Sequence, residues 1–178
     1  MARRLLTLAR SLAIGTVFVS LWTWFVPRWI AQGKGVPLEP QLTPPVVALM
    51  AVGAFVMIKC VWDFGWTGEG TPAPFDPPRK LVVRGLYRWV RNPMYIGMGL
   101  VLLGMIMALP AIRRELTVLL LSLWAAVSLF VIFYEEPALR RLFGDAYLEY
   151  CRHVRRWIPR LTPFDKPDNA AVTSPGLD

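Results

Sequence analysis

The sequence predicts an all-α, polytopic integral membrane protein with about four transmembrane helices and a C-terminal amphipathic cytoplasmic helix. Three observations carry this. Of 178 residues, 55% are hydrophobic, and the mean hydropathy is +0.43, more apolar than an ordinary soluble domain. The apolar residues fall in long blocks rather than amphipathic stripes, as membrane spans do. The basic residues behind the net charge of +8 gather beside those blocks, where the positive-inside rule expects them.

The first block, Leu5 to Val26, follows a basic start. It is too long for a signal-peptide core and is not followed by a small-x-small cleavage site, so it is expected to remain as a first span. Pro27 to Pro45 is rich in proline and glycine and is expected to be a loop. The second span covers about 46–66 and ends in Trp62, Phe64 and Trp66, which suit the interface. Lys59 and Asp63 stand four apart near that end, the spacing of a helical ion pair. From Thr67 to Val90 the prolines forbid regular structure, so this stretch is a stiff connector or the wall of a pocket. The third span covers 93–112, with Gly97, Gly99 and Gly104 permitting close helix contact. A short turn at Arg113-Arg114-Glu115 leads to a fourth span, 116–134. Pro137 then opens the cytoplasmic helix, about 137–153. A single membrane domain is expected over 1–166, with a disordered polar tail at 167–178.

Charge sets the orientation. Arg3, Arg4 and Arg10 precede the first span, five cations from Arg79 to Arg91 lie between the second and third, and a dense run follows the fourth. Both termini and the proline-rich loop are therefore expected at the cytoplasmic face of an inner membrane. The counter-charge for this layer is anionic lipid rather than nucleic acid. Cys60 lies in an apolar span and Cys151 in a basic helix, so no structural disulfide is expected. With one histidine, His153, and no CxxC, a zinc site has no support.

One stretch concentrates polar chemistry against an apolar block: Gly85-Leu86-Tyr87-Arg88-Trp89-Val90-Arg91-Asn92-Pro93-Met94-Tyr95-Ile96-Gly97. Asn92 suits an N-cap and Pro93 the first helical position. The first turn would present free N–H groups beside Arg88 and Arg91, an arrangement that suits a carboxylate or phosphate. The same residues also suit a plain interfacial anchor. If the last two spans form a hairpin, Glu135 and Glu136 return to the same face. Two carboxylates at a membrane boundary are costly unless paired or wet, and arginines of the cytoplasmic layer are available to pair with them.

Three ordered motifs resemble the isoprenylcysteine carboxyl methyltransferase and phospholipid methyltransferase superfamily. They are Gly-x-Tyr-x-x-x-Arg-Asn-Pro-Met-Tyr-x-Gly at 85–97, Glu-Glu-x-x-Leu-x-x-x-Phe-Gly-x-x-Tyr-x-x-Tyr at 135–150, and Val-x-Arg-x-x-Pro at 154–159. The resemblance implies a membrane enzyme that uses S-adenosylmethionine without a Rossmann domain; no GxGxxG loop occurs here. It implies cofactor contacts from Arg79, Lys80, Leu81, Val82, Tyr87, Asn92, Pro93, Met94, Tyr95 and Glu135. Glu136, with Arg91, is expected to serve the acceptor, orienting it or taking its proton. The acceptor would be a small lipophilic molecule: a lipid amine, isoprenoid, thiol or carboxylate. Two departures bear on which. The prenylcysteine enzymes read Arg-His-Pro where this chain has Arg91-Asn92-Pro93, and they carry an arginine for the substrate carboxylate where this chain has Val131. A nicotinamide-dependent membrane reductase and a non-enzymatic scaffold are the alternatives.

Overall fold

The computed structural model describes residues 16–63, residue 18 excepted, and 81–165. Arg79, Lys80, the proline-rich loop, most of the first expected span and the C-terminal tail lie outside the described residues. Every regular element described is helical.

The first helix runs on past Val26, through a π segment, Leu21–Phe25, into α1 (Val26–Lys34). The loop expected from Pro27 thus begins only at Gly35, which ends the helix at φ 63°. Proline does not stop this helix because the preceding turn is widened: the Val26 N–H donates to the Leu21 carbonyl, five residues back. A π turn makes room for the pyrrolidine ring and its missing donor.

The next helix, α2 (Pro44–Asp63), packs against α3 (Pro93–Ala108), whose residues are buried at nine positions. Contact is close because glycine meets glycine. A Cβ on Gly53 would lie 2.6 Å from the Gly97 carbonyl oxygen, and one on Gly97 would lie 2.8 Å from that of Gly53. Around this seam Met98, Val101, Leu102, Met105, Ile106 and Leu116 form the main apolar core. α3 is shorter than the expected third span. Pro110 pushes Leu109 out of the helical region (φ −121°, ψ 73°) and the chain turns through a short 3-10 segment, Pro110–Ile112.

The helix α4 (Arg113–Phe130) therefore takes Arg113, Arg114 and Glu115 as its first turn, not as the connection. Glu115 pairs there with Lys34, tying α4 to the end of α1. At the far end α4 does not stop before Pro137. It continues through a second π segment, Val131–Glu135, into α5 (Glu136–His153). The Glu136 N–H donates to the Val131 carbonyl, so the device that accommodates Pro27 recurs one residue ahead of Pro137. α5 bends sharply at Gly144 (φ 51°, ψ −130°).

Among the described residues, two helical runs are long and apolar enough to cross a membrane: Pro44–Asp63, and part of Pro110–His153. Only 17% and 11% of their most apolar windows are buried. Their side chains thus face outward, as lipid contact requires, rather than into a water-excluded core. The apolar stretch of the second run ends before Glu135.

After α5 the chain doubles back as a strap, residues 154–165, beside the segment that leads into α3. The Arg91 N–H donates to the Arg155 carbonyl at 3.0 Å, Arg160 N–H to Trp89 at 2.9 Å and Phe164 N–H to Arg88 at 2.9 Å. A second core of Phe143, Tyr147, Tyr150 and Val154 lies beneath it.

Candidate active site

Three segments converge where α3 begins and the second π segment ends. Leu81, Val82 and Tyr87 come from the segment before α3, Arg91 and Asn92 from its threshold. Val131, Glu135, Glu136, Leu139, Tyr147 and Tyr150 come from the long helix. They line an open groove with a cavity volume of about 50 Å³. Helix geometry explains the convergence: α3 and α4 are antiparallel neighbours, so the start of one meets the end of the other.

The two glutamates have different surroundings. Glu136 is 4% exposed and is held by three arginines. Arg156 donates to both its oxygens, at 2.7 and 2.9 Å, in the bidentate geometry that makes such pairs strong. Arg91 approaches to 3.2 Å and Arg140 to 4.0 Å. Burial works to raise its pKa, but the Arg156 bond and the charges of Arg91, Arg156 and Arg140 outweigh it, so the carboxyl is held below the ordinary 4.5. Arg156 in turn is raised, first by that same bond.

Glu135, half-buried, accepts one hydrogen bond, from the Tyr95 hydroxyl at 3.2 Å. Burial raises its pKa above the ordinary 4.5; the Tyr95 bond lowers it and the negative charge of Glu136 raises it further. It is thus a carboxylate with spare acceptor capacity facing a groove.

The other walls are fixed by buried partners. Tyr150 donates its hydroxyl to the Tyr87 carbonyl at 2.7 Å. Burial lifts the Tyr87 and Tyr150 phenols well above their usual range, so both are neutral donors. Asn92 precedes α3 as expected, with Pro93 at the first helical positions, but its side chain makes no cap bond. It donates instead to the Arg156 carbonyl at 3.2 Å, because the strap supplies an acceptor there. Arg88, expected to face an anion, is engaged by the strap: it donates to the Phe164 carbonyl and pairs with Asp165. Arg91 Nη1 also donates to the Cys151 sulfur at 2.6 Å.

Of the residues singled out in the sequence, Leu81, Val82, Tyr87, Arg91, Asn92, Glu135 and Glu136 line the groove, and Tyr95 reaches it through Glu135. Pro93 starts α3 behind Asn92, while Met94 packs against the cluster of Cys60, Val82 and Tyr87. The expected Lys59–Asp63 pair forms, at 2.6 Å, on the α2 end that faces Gly85. Sequence reasoning gave no role to Arg156, Tyr147 or Tyr150, although all three stand at fixed positions of the quoted motifs. A lone arginine in a basic strap carries no sign that its partner is a buried carboxylate 20 residues earlier.

Among the described residues, an all-helical scaffold with two outward-facing apolar runs fits a membrane-associated protein. The chain belongs to the phospholipid methyltransferase family, whose model matches residues 46–146, more than half of its length. That family is one of membrane methyltransferases, and the match spans α2 through Glu135 and Glu136. No curated protein and no solved structure matches the chain.

Proposed function

We propose that the chain is a membrane methyltransferase that uses S-adenosylmethionine and methylates a small lipophilic acceptor arriving from the bilayer. The observation that carries this reading is the division of labour between Glu135 and Glu136. Glu136 is saturated by arginines and organises the groove; Glu135 lines the groove and has one partner, Tyr95.

The residues present fit such a cofactor in charge. The Glu135 carboxylate would face the cofactor's cationic part, and the N-terminal turn of α3 after Asn92 would face its carboxylate. Leu81, Val82 and Tyr87 would cover its apolar surface. When bound, the cofactor supplies an electrophilic methyl group on a sulfonium sulfur. The chain's own contribution is then position and exclusion of water. Tyr95 orients the Glu135 carboxylate, and Arg156 and Arg91 hold Glu136 so that the helix end cannot drift. Proton removal from an amine or thiol acceptor falls to Glu135, whose raised pKa brings it toward the working range of a general base. Glu136, ionised and fully engaged, keeps a structural part. Val131 is buried at the groove wall, with no cation in its place. An acceptor that must present a carboxylate is therefore the least suited.

Calorimetric titration of the detergent-solubilised protein with S-adenosylmethionine and S-adenosylhomocysteine tests the reading, with Glu135→Ala as the control. Saturable binding lost in the variant is expected. Absence of binding to a folded wild-type protein, or binding unchanged in Glu135→Ala, overturns it.

A further inference from the structure

Tyr95, which bonds Glu135 at the groove, also touches an aromatic cluster that includes the strap. Trp157 lies in the strap between two tethered neighbours. Arg156 is held by Glu136 through its side chain and by Asn92 through its carbonyl, and Arg160 is bound back to Trp89. Those bonds fix the chain on either side of the indole. The ring lies 4.8 Å from Trp124 of α4 and 6.4 Å from Tyr95 of α3. It therefore bridges the two helices whose ends carry the site. α4 comes close to α3 here because Gly99 faces Trp124; a Cβ on Gly99 would lie 3.6 Å from that indole. Trp157 thus packs across the seam between α3 and α4, against the same Tyr95 that bonds Glu135.

We propose that Trp157 is a specificity-determining residue that bounds the acceptor side of the site. By closing the seam between α3 and α4, it limits the acceptor to one that is slender next to its reacting group. The inference rests on the methyltransferase reading for its purpose, but not for its measurement. Filling or emptying the volume of an aromatic ring in a pocket changes discrimination between substrates of different size by about tenfold or more.

The test uses the full chain in dioleoyl phosphatidylcholine vesicles with two photoactivatable phosphatidylethanolamine probes. One has a single acyl chain and the other two, each with a diazirine near the headgroup. On illumination the diazirine loses nitrogen, and the carbene left inserts into the O–H bond of a nearby protonated carboxyl, its carbon taking both the oxygen and the hydrogen to give an ester. Adducts on the peptide that contains Glu135 are counted by mass spectrometry. In Trp157→Ala the ratio of two-chain to one-chain adducts is expected to rise about tenfold over wild type. Trp157→Phe, which keeps a ring and guards against misfolding of the alanine variant, should raise it by less. S-adenosylmethionine affinity should be unchanged in both. An unmoved ratio overturns the proposal. So does a parallel loss of both adducts and of cofactor affinity, which makes Trp157 a plain packing residue. If the wild-type protein binds no S-adenosylmethionine, the methyltransferase reading falls while the adduct ratio still decides the role of Trp157.

Discussion

The Tyr95 hydroxyl donates to Glu135 at 3.2 Å across the junction of α3 and the long helix, and this bond joins the two motifs that the sequence separates by 40 residues. Glu136, one peptide further on, turns away from that phenol into a cage of arginines. Consecutive helical residues point about 100° apart, so Glu135, at the end of the π segment, and Glu136, at the start of α5, meet different neighbours.

Neutralising the two carboxylates should therefore have opposite effects on stability. Glu136→Gln leaves Arg91, with a side chain only 12% exposed, beside a lost charge. Breaking a buried pair in this way costs about 3 kcal/mol, at the lower end of the usual range because Arg156 can turn toward water. Glu135→Gln removes a carboxylate whose ionised form burial disfavours, and should leave stability unchanged or slightly higher. Thermal unfolding in detergent separates them; equal losses in Tm would refute the division of roles.

The pH dependence of ligand binding follows from the same shift. Glu135 has a folded-state pKa raised above the ordinary 4.5, so it takes up its proton earlier on acidification than a free carboxyl. A cationic ligand group should lose affinity as pH falls through that raised value, while Glu135→Gln shows weaker and flat binding across the same interval. The sign for folding is the reverse: ionised Glu135 disfavours the folded state, and that penalty disappears as the group protonates. Glu136, with a depressed pKa, stabilises the fold above 4.5 and loses its contribution only below it. Titrating calorimetric affinity and Tm over the same pH range distinguishes the two carboxylates.

Much of this was legible in the sequence, and the exceptions have definite causes. The order of the motifs around Asn92-Pro93 and Glu135-Glu136 foretold that they meet, because a helical hairpin leaves no other arrangement. The helix ends were misjudged at Pro27 and Pro137, where proline normally stops a helix. Nothing in the residue types shows that a π turn will absorb it. Pro110 acted in the ordinary way, cutting α3 short at Ala108 and moving the turn ahead of Arg113. The strap was the least readable part. Its main-chain bonds to Arg88, Trp89 and Arg91 run through backbone groups, which are the same in every sequence.

Two glycines with positive φ should respond differently to alanine although neither is crowded. Gly35 ends α1 at φ 63°, ψ 30°, in the left-handed region, where alanine costs about 1 kcal/mol. Gly144 has φ 51° and ψ −130°, a combination that is essentially confined to glycine. Gly144→Ala should cost about 2 kcal/mol and loosen the bend that places Tyr147 and Tyr150 against the groove. Unfolding of both variants in detergent, with S-adenosylmethionine affinity as a second readout, checks this. A Gly144→Ala protein as stable as Gly35→Ala would show that the bend relaxes freely.

The seam between α2 and α3 should be the least tolerant of any added atom. Gly53 and Gly97 lie backbone to backbone, and a methyl group on either would come within 3.0 Å of a carbonyl oxygen of the facing helix. Backbone cannot step aside as a side chain can, so one whole helix must shift. Gly97→Ala should cost about 3 kcal/mol, the upper range for overpacking. Because Gly97 is one turn into α3 from Asn92, the displacement should also weaken ligand binding. Gly104→Ala provides the comparison: its new methyl would meet the Met50 side chain rather than backbone, and that side chain can change rotamer, so a smaller loss of about 1–2 kcal/mol is expected. Measured Tm values in that order support a rigid glycine seam. Equal values for the two variants would mean that α2 and α3 slide apart without penalty, and that the site at the start of α3 is not held by this contact.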